Sequence, residues 1–230
     1  MSRGSTNNTG GNFHFVQITK RGFVERVDEG TEGAIARKIE MGVNIGNTVF
    51  ERITNRIEGS ILKIEKKSSE FGDEYKITID TSVNGNGEKY VISSKVNANH
   101  TRNMLKQLVK INPSIDTEFI YKYEEASNGF KYGSINISIA QHNEESGKNK
   151  FVGWKFTNNN QNGMPPVKEY VDEADGKTKK SYLDINSFLE GEIMKVELPS
   201  APEQTPPVST RGAEAEVGEG EGEGEDDLPF

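Results

Sequence analysis

The order of apolar periods along residues 57–139 is the strongest constraint on the fold of this chain. Five segments are strand-like, and two of them, Tyr75–Thr81 and Lys131–Ile139, alternate apolar and polar residues with a period of two, which predicts half-buried β-strands. One segment, Thr101–Ile111, has helical spacing instead, because four apolar residues share one face: Met104, Leu105, Leu108 and Ile111. The strand-like segments are Ile57–Glu65, Tyr75–Thr81, Tyr90–Val96, Thr117–Tyr123 and Lys131–Ile139. The chain is expected to run through three strands, one helix and two further strands.

Local signals support these boundaries. Asn84–Gly87 has strong hairpin chemistry, because Asn and Gly accept the positive φ that such turns need. Gly59 marks a bulge or bend within its strand. Asn99 or Thr101 is expected to cap the helix, and Asn112-Pro113 is expected to stop it.

This element order is typical of the OB-fold, a Greek-key barrel with a helix between strands three and four, which binds oligonucleotides or oligosaccharides. Other small β-rich domains produce the same order. Additional strands are expected at Phe13–Thr19, Phe23–Val27, Ile35–Met41 and Lys150–Phe156. A second helix is expected within Tyr182–Leu198, capped by Asp184 or Asn186. We therefore predict a mainly β chain: an OB-fold Greek-key barrel with added strands, one or two helices and a disordered acidic C-terminal tail.

The net charge of −8 is concentrated at the C-terminus. Residues 199–230 contain nine acidic residues and one basic residue, whereas the remaining 198 residues contain 27 of each. Gly218–Glu225 is a Gly-Glu repeat that cannot bury a core. We divide the chain into a disordered N-terminus (1–11), an OB-fold-containing domain (12–198) and a disordered acidic tail (199–230). A neutral body can still carry a basic groove.

Signatures of enzymes and cofactors are missing from the sequence. The chain has no Cys, and its three His residues are scattered outside any metal-ligand pattern. Asp172–Gly176 lacks the spaced ligands of a calcium loop and is interpreted as a turn. No segment has the apolar length of a membrane span or the apolar core of a signal peptide. We expect a cytoplasmic protein without catalytic activity, metal or cofactor.

Aromatic and basic residues alternate in several strand-like segments. Single-stranded nucleic acid needs this mixture, because bases stack on aromatic rings while Lys or Arg contacts the phosphates. The candidate contacts are Lys20, Arg21, Arg52, Arg56, Tyr121, Lys122, Tyr123, Lys131, Tyr132, Trp154, Lys155 and Phe156. Two alternatives remain open. Phe119, Tyr121 and Tyr123 share a strand face that could be core, and Val152 and Phe156 favour burial of Trp154, the only Trp.

The chain ends in Asp226-Asp227-Leu228-Pro229-Phe230. The phenyl ring suits a small apolar pocket, and the carboxylates can meet Arg or Lys around it. Pro229 limits the backbone freedom that binding must remove. These five residues are interpreted as a docking peptide on a long tether.

This tip resembles that of bacterial single-stranded-DNA-binding proteins, whose acidic tails end in Asp-Asp-(Ile/Leu)-Pro-Phe. The resemblance implies that an OB-fold binds single-stranded DNA and that Asp226–Phe230 recruits replication, recombination or repair enzymes. Only the tip matches residue by residue. The body is longer than the common cellular form, with a strand pair before the barrel and about 60 residues after it.

In those additions the chain is similar to phage-encoded members of the same class. The departure favours a monomer or homodimer over the tetramer of the cellular family, in a bacterial or phage-infected cell. The sequence thus predicts sequence-independent single-stranded DNA binding in replication, recombination or repair. The alternative is a structural or protein-interaction β-domain whose tail only solubilises the protein.

Overall fold

Strands dominate the structure, a computed structural model that describes residues 12–40, 44–70, 72–81, 87–126, 133–157, 161–174 and 176–199. The strands in these ranges are β1 (Asn12–Thr19), β2 (Gly22–Val27), β3 (Ile35–Lys38), β4 (Thr48–Thr54), β5 (Arg56–Lys67), β6 (Glu74–Asp80), β7 (Glu88–Lys95), β8 (Thr117–Glu124), β9 (Ser134–Asn143), β10 (Lys148–Phe151), β11 (Lys168–Val171) and β12 (Thr178–Ser181). The helices are α1 (Asn99–Leu108) and α2 (Leu183–Ile193). The prediction of a mainly β chain with helices is confirmed.

Ten strands form one sheet in the order β10-β9-β8-β5-β6-β7-β1-β2-β4-β3, and β11 and β12 form a separate hairpin. Neighbouring strands are antiparallel except β1 and β7, which are parallel. The set β8-β5-β6-β7 is a Greek key, because three consecutive strands are followed by a fourth that returns beside the first. α1 lies in the returning connection. The predicted order of strands and helix is confirmed as β5, β6, β7, α1, β8 and β9.

The first strand of the Greek key, β5, changes partner along its length. Its N-terminal third pairs with β8 and the rest pairs with β6. Gly59 lies at the exchange, where an added Cβ atom would stand 2.3 Å from the carbonyl oxygen of Asp80. The irregularity in pairing falls later, between Ile61 and Lys63. Gly59 therefore permits a close approach of two strands and does not form the bulge itself.

The predicted apolar face of α1 is buried in the core. Its capping differs from the prediction, because the N-cap is Ala98, with no side-chain hydrogen bond. Thr101 is buried, and its hydroxyl group donates to the carbonyl oxygen of Lys95 at 2.7 Å. In α2 the N-cap is Tyr182, and Asp184 lies in the first turn. Neither helix therefore begins at a residue whose side chain caps it by a hydrogen bond.

The sheet is open, so the closed barrel of the sequence prediction is not what the described strands form. β7 pairs with β6 along one edge and with β1 along the other. No edge of β7 is left for β9, the strand that would close a barrel. Where β9 faces α1, the side chain of Gln107 donates to the Ile137 carbonyl oxygen and accepts from the Ile139 amide, both at 2.9 Å. Gln107 thereby forms hydrogen bonds with backbone groups of β9 that a closing strand would otherwise pair with.

The predicted strand Lys150–Phe156 is wrong beyond its second residue, because β10 ends at Phe151. The chain then crosses α1. The amide of Val152 donates to the Ile139 carbonyl oxygen at 2.8 Å, and the amide of Lys155 donates to the Lys106 carbonyl oxygen at 3.0 Å. We call residues 152–156 the strap. The ladder that pairs β10 with β9 ends where the strap begins.

Three strands were not predicted: β4, β11 and β12. β4 lies between β2 and β3 in the sheet, and its centre is the charged pair Glu51-Arg52. Charged residues at the middle of a strand interrupt the alternation of apolar and polar residues from which a strand is predicted. β11 and β12 are short and almost wholly exposed, so they carry little apolar signal.

Some predicted features lie outside the described residues. These are the N-terminus 1–11, most of the hairpin at Asn84–Gly87, the candidates Lys131 and Tyr132, and the tail from residue 200 onwards with its tip Asp226–Phe230. Within the described ranges, neither helix has the length and apolar character needed to cross a membrane.

Gly59→Ala should destabilise the fold. The new methyl group would overlap the backbone of β6, which cannot move away as a flexible side chain could. We expect a loss of about 1–3 kcal/mol in the free energy of unfolding, as for other overpacked sites. Urea denaturation followed by circular dichroism measures it.

Gly191→Ala is the matched control, because Gly191 lies inside α2 with no atom within 4 Å of an added Cβ. Alanine favours helix over glycine by up to about 1 kcal/mol, so this variant should be as stable as the parent or more so. If both variants behaved alike, the close approach at Gly59 would not constrain the sheet.

Candidate nucleic-acid interface

The two faces of β1 differ in chemistry. His14 and Val16 point towards the interior, whereas Phe13 and Phe15 point outwards. Phe15 is 63 % exposed, and the two phenyl rings lie 6.4 Å apart at 25° to each other. Alternate residues of a strand share a face, so this pair follows directly from the Phe-His-Phe sequence once β1 is placed in the sheet.

Cations surround these rings on the same face. Lys89 lies opposite Phe13 in the parallel ladder, and its ammonium group stands 5.7 Å from the Phe13 ring centroid. Such a contact holds a cation over an aromatic ring. One strand further, Lys76 lies opposite Ser93 of β7. Among the described residues, neither lysine has a carboxylate partner. We call the outer side of β6, β7, β1, β2, β4 and β3 the aromatic face.

A buried carboxylate organises the arginines of this face. Glu51 is 3 % exposed and accepts hydrogen bonds from two guanidinium groups. Arg37 binds in fork geometry, with its Nε atom at 3.0 Å and its Nη2 atom at 2.8 Å. Arg21 donates through its Nη2 atom. Arg26 lies opposite Glu51 across the ladder.

These side chains line a depression in the aromatic face. Its volume is about 450 Å³, and its walls include Phe13, Phe15, Arg21, Arg26, Arg37 and Glu51. A single concave surface therefore combines two aromatic rings and three arginines with the residues Glu25 and Glu51. This is the mixture expected of a site for single-stranded nucleic acid.

The arginines control the ionisation of Glu51. The hydrogen bonds from Arg37, and then from Arg21, lower the pKa of Glu51 from its ordinary value of 4.5 to about 2, although burial opposes them. Glu51 therefore stays charged at neutral pH. The cluster of Glu51, Arg21, Arg37 and Arg26 has a formal charge of +2.

Two other predicted contacts, Arg52 and Arg56, line a different cavity of about 350 Å³. Arg52 is bound to the buried carboxylate of Glu25 at 2.9 Å. Arg56 is mostly exposed and pairs with Glu118 at 2.7 Å. His14 also contacts Glu25, at 2.6 Å. Both arginines that line this cavity are therefore already held in ion pairs with carboxylates.

The strap settles the alternatives for its aromatic residues. Trp154 is 47 % exposed, with the ammonium group of Lys106 at 5.3 Å from its ring centroid. Phe156 is 1 % exposed and packs edge-on against Phe188, with the centroids 5.0 Å apart. Lys155 pairs with Glu192 at 2.8 Å. The burial expected for Trp154 is therefore wrong, and Phe156 offers no ring face to a base.

The tyrosines of β8 follow the core alternative. Phe119 and Tyr121 are buried, and Tyr123 packs against the same core. Lys122 points outwards and pairs with Glu124 at 3.0 Å. Lys20 is exposed in the turn between β1 and β2. The predicted contacts that fall within the described ranges are thus distributed over several places, and of these Arg21 lines the depression in the aromatic face.

The sequence prediction missed most of the aromatic face. Its unpredicted members are Phe13, Phe15, Arg26, Arg37, Lys76 and Lys89. The Phe-His-Phe alternation was visible, but alternation does not tell which side of a strand is covered. The six residues come from five strands that only the sheet order brings together.

In the ranges that the structure describes, no three His, Asp or Glu side chains are grouped so that they could hold a metal ion. Among known proteins, no family model, curated protein or solved structure matches this chain. The function of the aromatic face has to follow from its own chemistry.

The stability of the protein should fall in acid partly through Glu51. A group with a lowered pKa stabilises the fold above its unfolded pKa, here about 4.5, and this stabilisation is lost as the pH falls towards 2. The full shift corresponds to roughly 3 kcal/mol, reduced to about 1–2 kcal/mol because both arginines are one-third exposed. Denaturant titrations at pH 7 and pH 3 should show Glu51→Gln less stable than the parent at pH 7, with the difference shrinking at pH 3.

Glu32→Gln is the control, because Glu32 is exposed and has no ion pair with a described residue. Its stability should follow that of the parent at both pH values. A constant difference between Glu51→Gln and the parent across this range would contradict the assignment.

Proposed function

We propose that this chain is a non-enzymatic, sequence-independent single-stranded-DNA-binding protein of replication, recombination or repair. In this proposal the aromatic face is the binding surface. The observation that carries it is the exposed pair Phe13–Phe15, whose rings line one concave surface together with Arg21, Arg26 and Arg37.

The phenylalanine pair supports stacking. Two adjacent large apolar rings left in water forfeit the stabilisation that burial would bring, which is about 25 cal/mol per Å². An exposed apolar patch rimmed by polar residues marks an interaction site. Bases stack on such rings for roughly 1–3 kcal/mol each and without regard to sequence.

The cations support phosphate contact. Arg26, Lys76 and Lys89 have no carboxylate partner among the described residues, and Lys89 is held over Phe13. Cations next to aromatic rings let one strand stack its bases while its backbone is neutralised. Neutralised phosphates release counterions, so affinity would fall steeply with salt.

The topology supports an OB-like core as the finer description of the fold. β5, β6, β7, α1, β8 and β9 follow the order of that fold, and β6 and β7 take the places of its strands two and three. Oligonucleotides bind OB-folds on the face of strands two and three. The aromatic face includes the outer side of these two strands and extends it onto β1 and β2.

Trp154 is a second candidate contact. Lys106 lies over its ring, and Lys110 lies near the neighbouring Gly153. Neither lysine forms an ion pair with a described residue. A nucleic acid that reaches the strap would find the same combination of ring and cation as on β1.

The tail completes the proposal. Its tip, Asp226–Phe230, would recruit replication or recombination proteins, as the resemblance to bacterial single-stranded-DNA-binding proteins implies. The acidic tether would also compete with DNA for the cationic surface. We further propose a monomer or homodimer in the cytoplasm of a bacterial or phage-infected cell.

Phe15→Ala should weaken binding of fluorescein-labelled oligo-dT. Loss of one stacking ring worth about 1–3 kcal/mol corresponds to a roughly 5- to 150-fold rise in Kd. Phe13→Ala should have a similar effect and should also release Lys89. Fluorescence anisotropy at several salt concentrations measures both the affinity and its salt dependence.

Tyr170→Ala provides the control, because Tyr170 is an equally exposed aromatic residue on the separate hairpin of β11 and β12. It should leave Kd unchanged. If the parent does not bind oligo-dT, or binds without salt dependence, the protein-interaction alternative is favoured over nucleic-acid binding.

Phe230→Ala should abolish recruitment of partner enzymes while sparing DNA binding, because it removes only the ring at the end of the tip. Pull-down of replication and recombination enzymes from bacterial extract, compared with Val208→Ala in the same tail, measures this. Unaltered recruitment by Phe230→Ala would refute the docking model.

A further inference from the structure

We propose that Arg21 and Arg37 form a phosphate-binding subsite of the aromatic face, and that the buried carboxylate of Glu51 is its positioning residue. This inference rests on the proposed function and assigns a role to an acidic residue inside a surface for polyanions. The ligand is a backbone phosphate of single-stranded nucleic acid.

The presence of Glu51 needs explanation, because a carboxylate in a polyanion-binding surface repels the ligand. Glu51 is not at the rim. It is 3 % exposed, and its two oxygen atoms are already occupied by guanidinium groups. A buried charge with several charge-assisted hydrogen bonds holds its partners in one geometry. The negative charge is covered by the cations that it orients.

The two arginines keep donors free for a ligand. A guanidinium group has five N–H donors in a rigid fork. Among the described residues, the side chain of Arg21 uses one donor, towards Glu51. Arg37 uses three, two towards Glu51 and one towards the carbonyl oxygen of Lys38. About one-third of each side chain is exposed, so the remaining donors are accessible.

The backbone places this subsite beside the stacking rings. Arg21 lies in the turn that leads from β1 into β2, and its amide is fixed by the hydroxyl group of Thr19 at 3.1 Å. The following Gly22 has a φ of +133°, and an added Cβ atom would lie 2.8 Å from the Thr54 carbonyl oxygen. Only glycine allows this close turn. Arg21 and Phe15 then share one depression, so a base and its phosphate can be bound together.

Arg26 adds to the subsite without using the carboxylate. It lies directly opposite Glu51 in the β2–β4 ladder and forms no ion pair with a described residue. The formal charge around Glu51 is therefore positive after pairing. Arginine is suited to phosphate because its fork matches two oxygen atoms at once.

The test compares Glu51→Gln with Glu32→Gln in oligo-dT titrations of the full-length protein. Both substitutions remove one negative charge, so simple electrostatics predicts equal or tighter binding for both. The positioning role predicts the opposite for Glu51→Gln alone: a roughly 5- to 20-fold higher Kd, because two phosphate contacts lose their geometry. The salt slope, log Kobs against log salt, should fall by about 0.7 for each lost contact on single strands.

Arg37→Lys is the second variant, and it guards against a folding defect. It retains the positive charge next to Glu51 but loses the fork, at a side chain that is partly exposed. It should weaken oligo-dT binding while the protein still unfolds in a single cooperative thermal transition. In a protein that already carries Arg21→Gln and Arg37→Gln, the further substitution Glu51→Gln should not weaken oligo-dT binding. The two guanidinium groups that Glu51 positions are absent from that protein.

The outcomes separate the two proposals. If the parent binds oligo-dT and Phe15→Ala weakens it, but folded Glu51→Gln and Arg37→Lys bind as tightly as the parent or more tightly, the subsite is refuted and the proposed function stands. If the parent does not bind oligo-dT, both are refuted. Weaker binding by both variants, with Glu32→Gln unaffected, supports the subsite.

Discussion

The parallel pairing of β1 with β7 is the constraint on which the rest of the structure depends. It occupies the edge of β7 that a barrel-closing strand would need, so the sheet stays open and extends through β2 to β4 and β3. The same pairing places Phe13 beside Lys89 and turns Phe15 outwards. One choice of strand partner thus determines both the architecture and the composition of the aromatic face.

Two buried carboxylates divide the cations of this region between two faces. Glu25 binds Arg52 and His14 towards the interior cavity, whereas Glu51 binds Arg21 and Arg37 towards the aromatic face. Adjacent strands carry them, and their side chains point to opposite sides. A body with equal numbers of acidic and basic residues can therefore present a cationic surface, because acidic and basic side chains are not distributed equally over its faces. The net charge of the whole chain does not reveal this distribution.

Strong local periods were predictable, and long-range choices were not. The alternation in β5 to β9 and the helical face of α1 follow from residues close in sequence. The strap was predicted as part of a strand because Val152, Trp154 and Phe156 are alternate residues in the sequence. In the structure the strap instead forms hydrogen bonds to β9 and α1, with Trp154 exposed and Phe156 buried. The expected helix caps were also wrong, because Ala98 and Tyr182 occupy the N-cap positions without a side-chain hydrogen bond.

The sequence by itself determined the order of strands and helix, the neutral body and the acidic C-terminus, since each of these depends only on nearby residues. Only the tertiary structure decided which strand pairs with β7, which side of β1 faces water and which arginines meet Glu51. Those contacts join residues about 15 to 75 positions apart. Alternation shows that a strand has two faces, but its partners in the sheet decide which face the core covers.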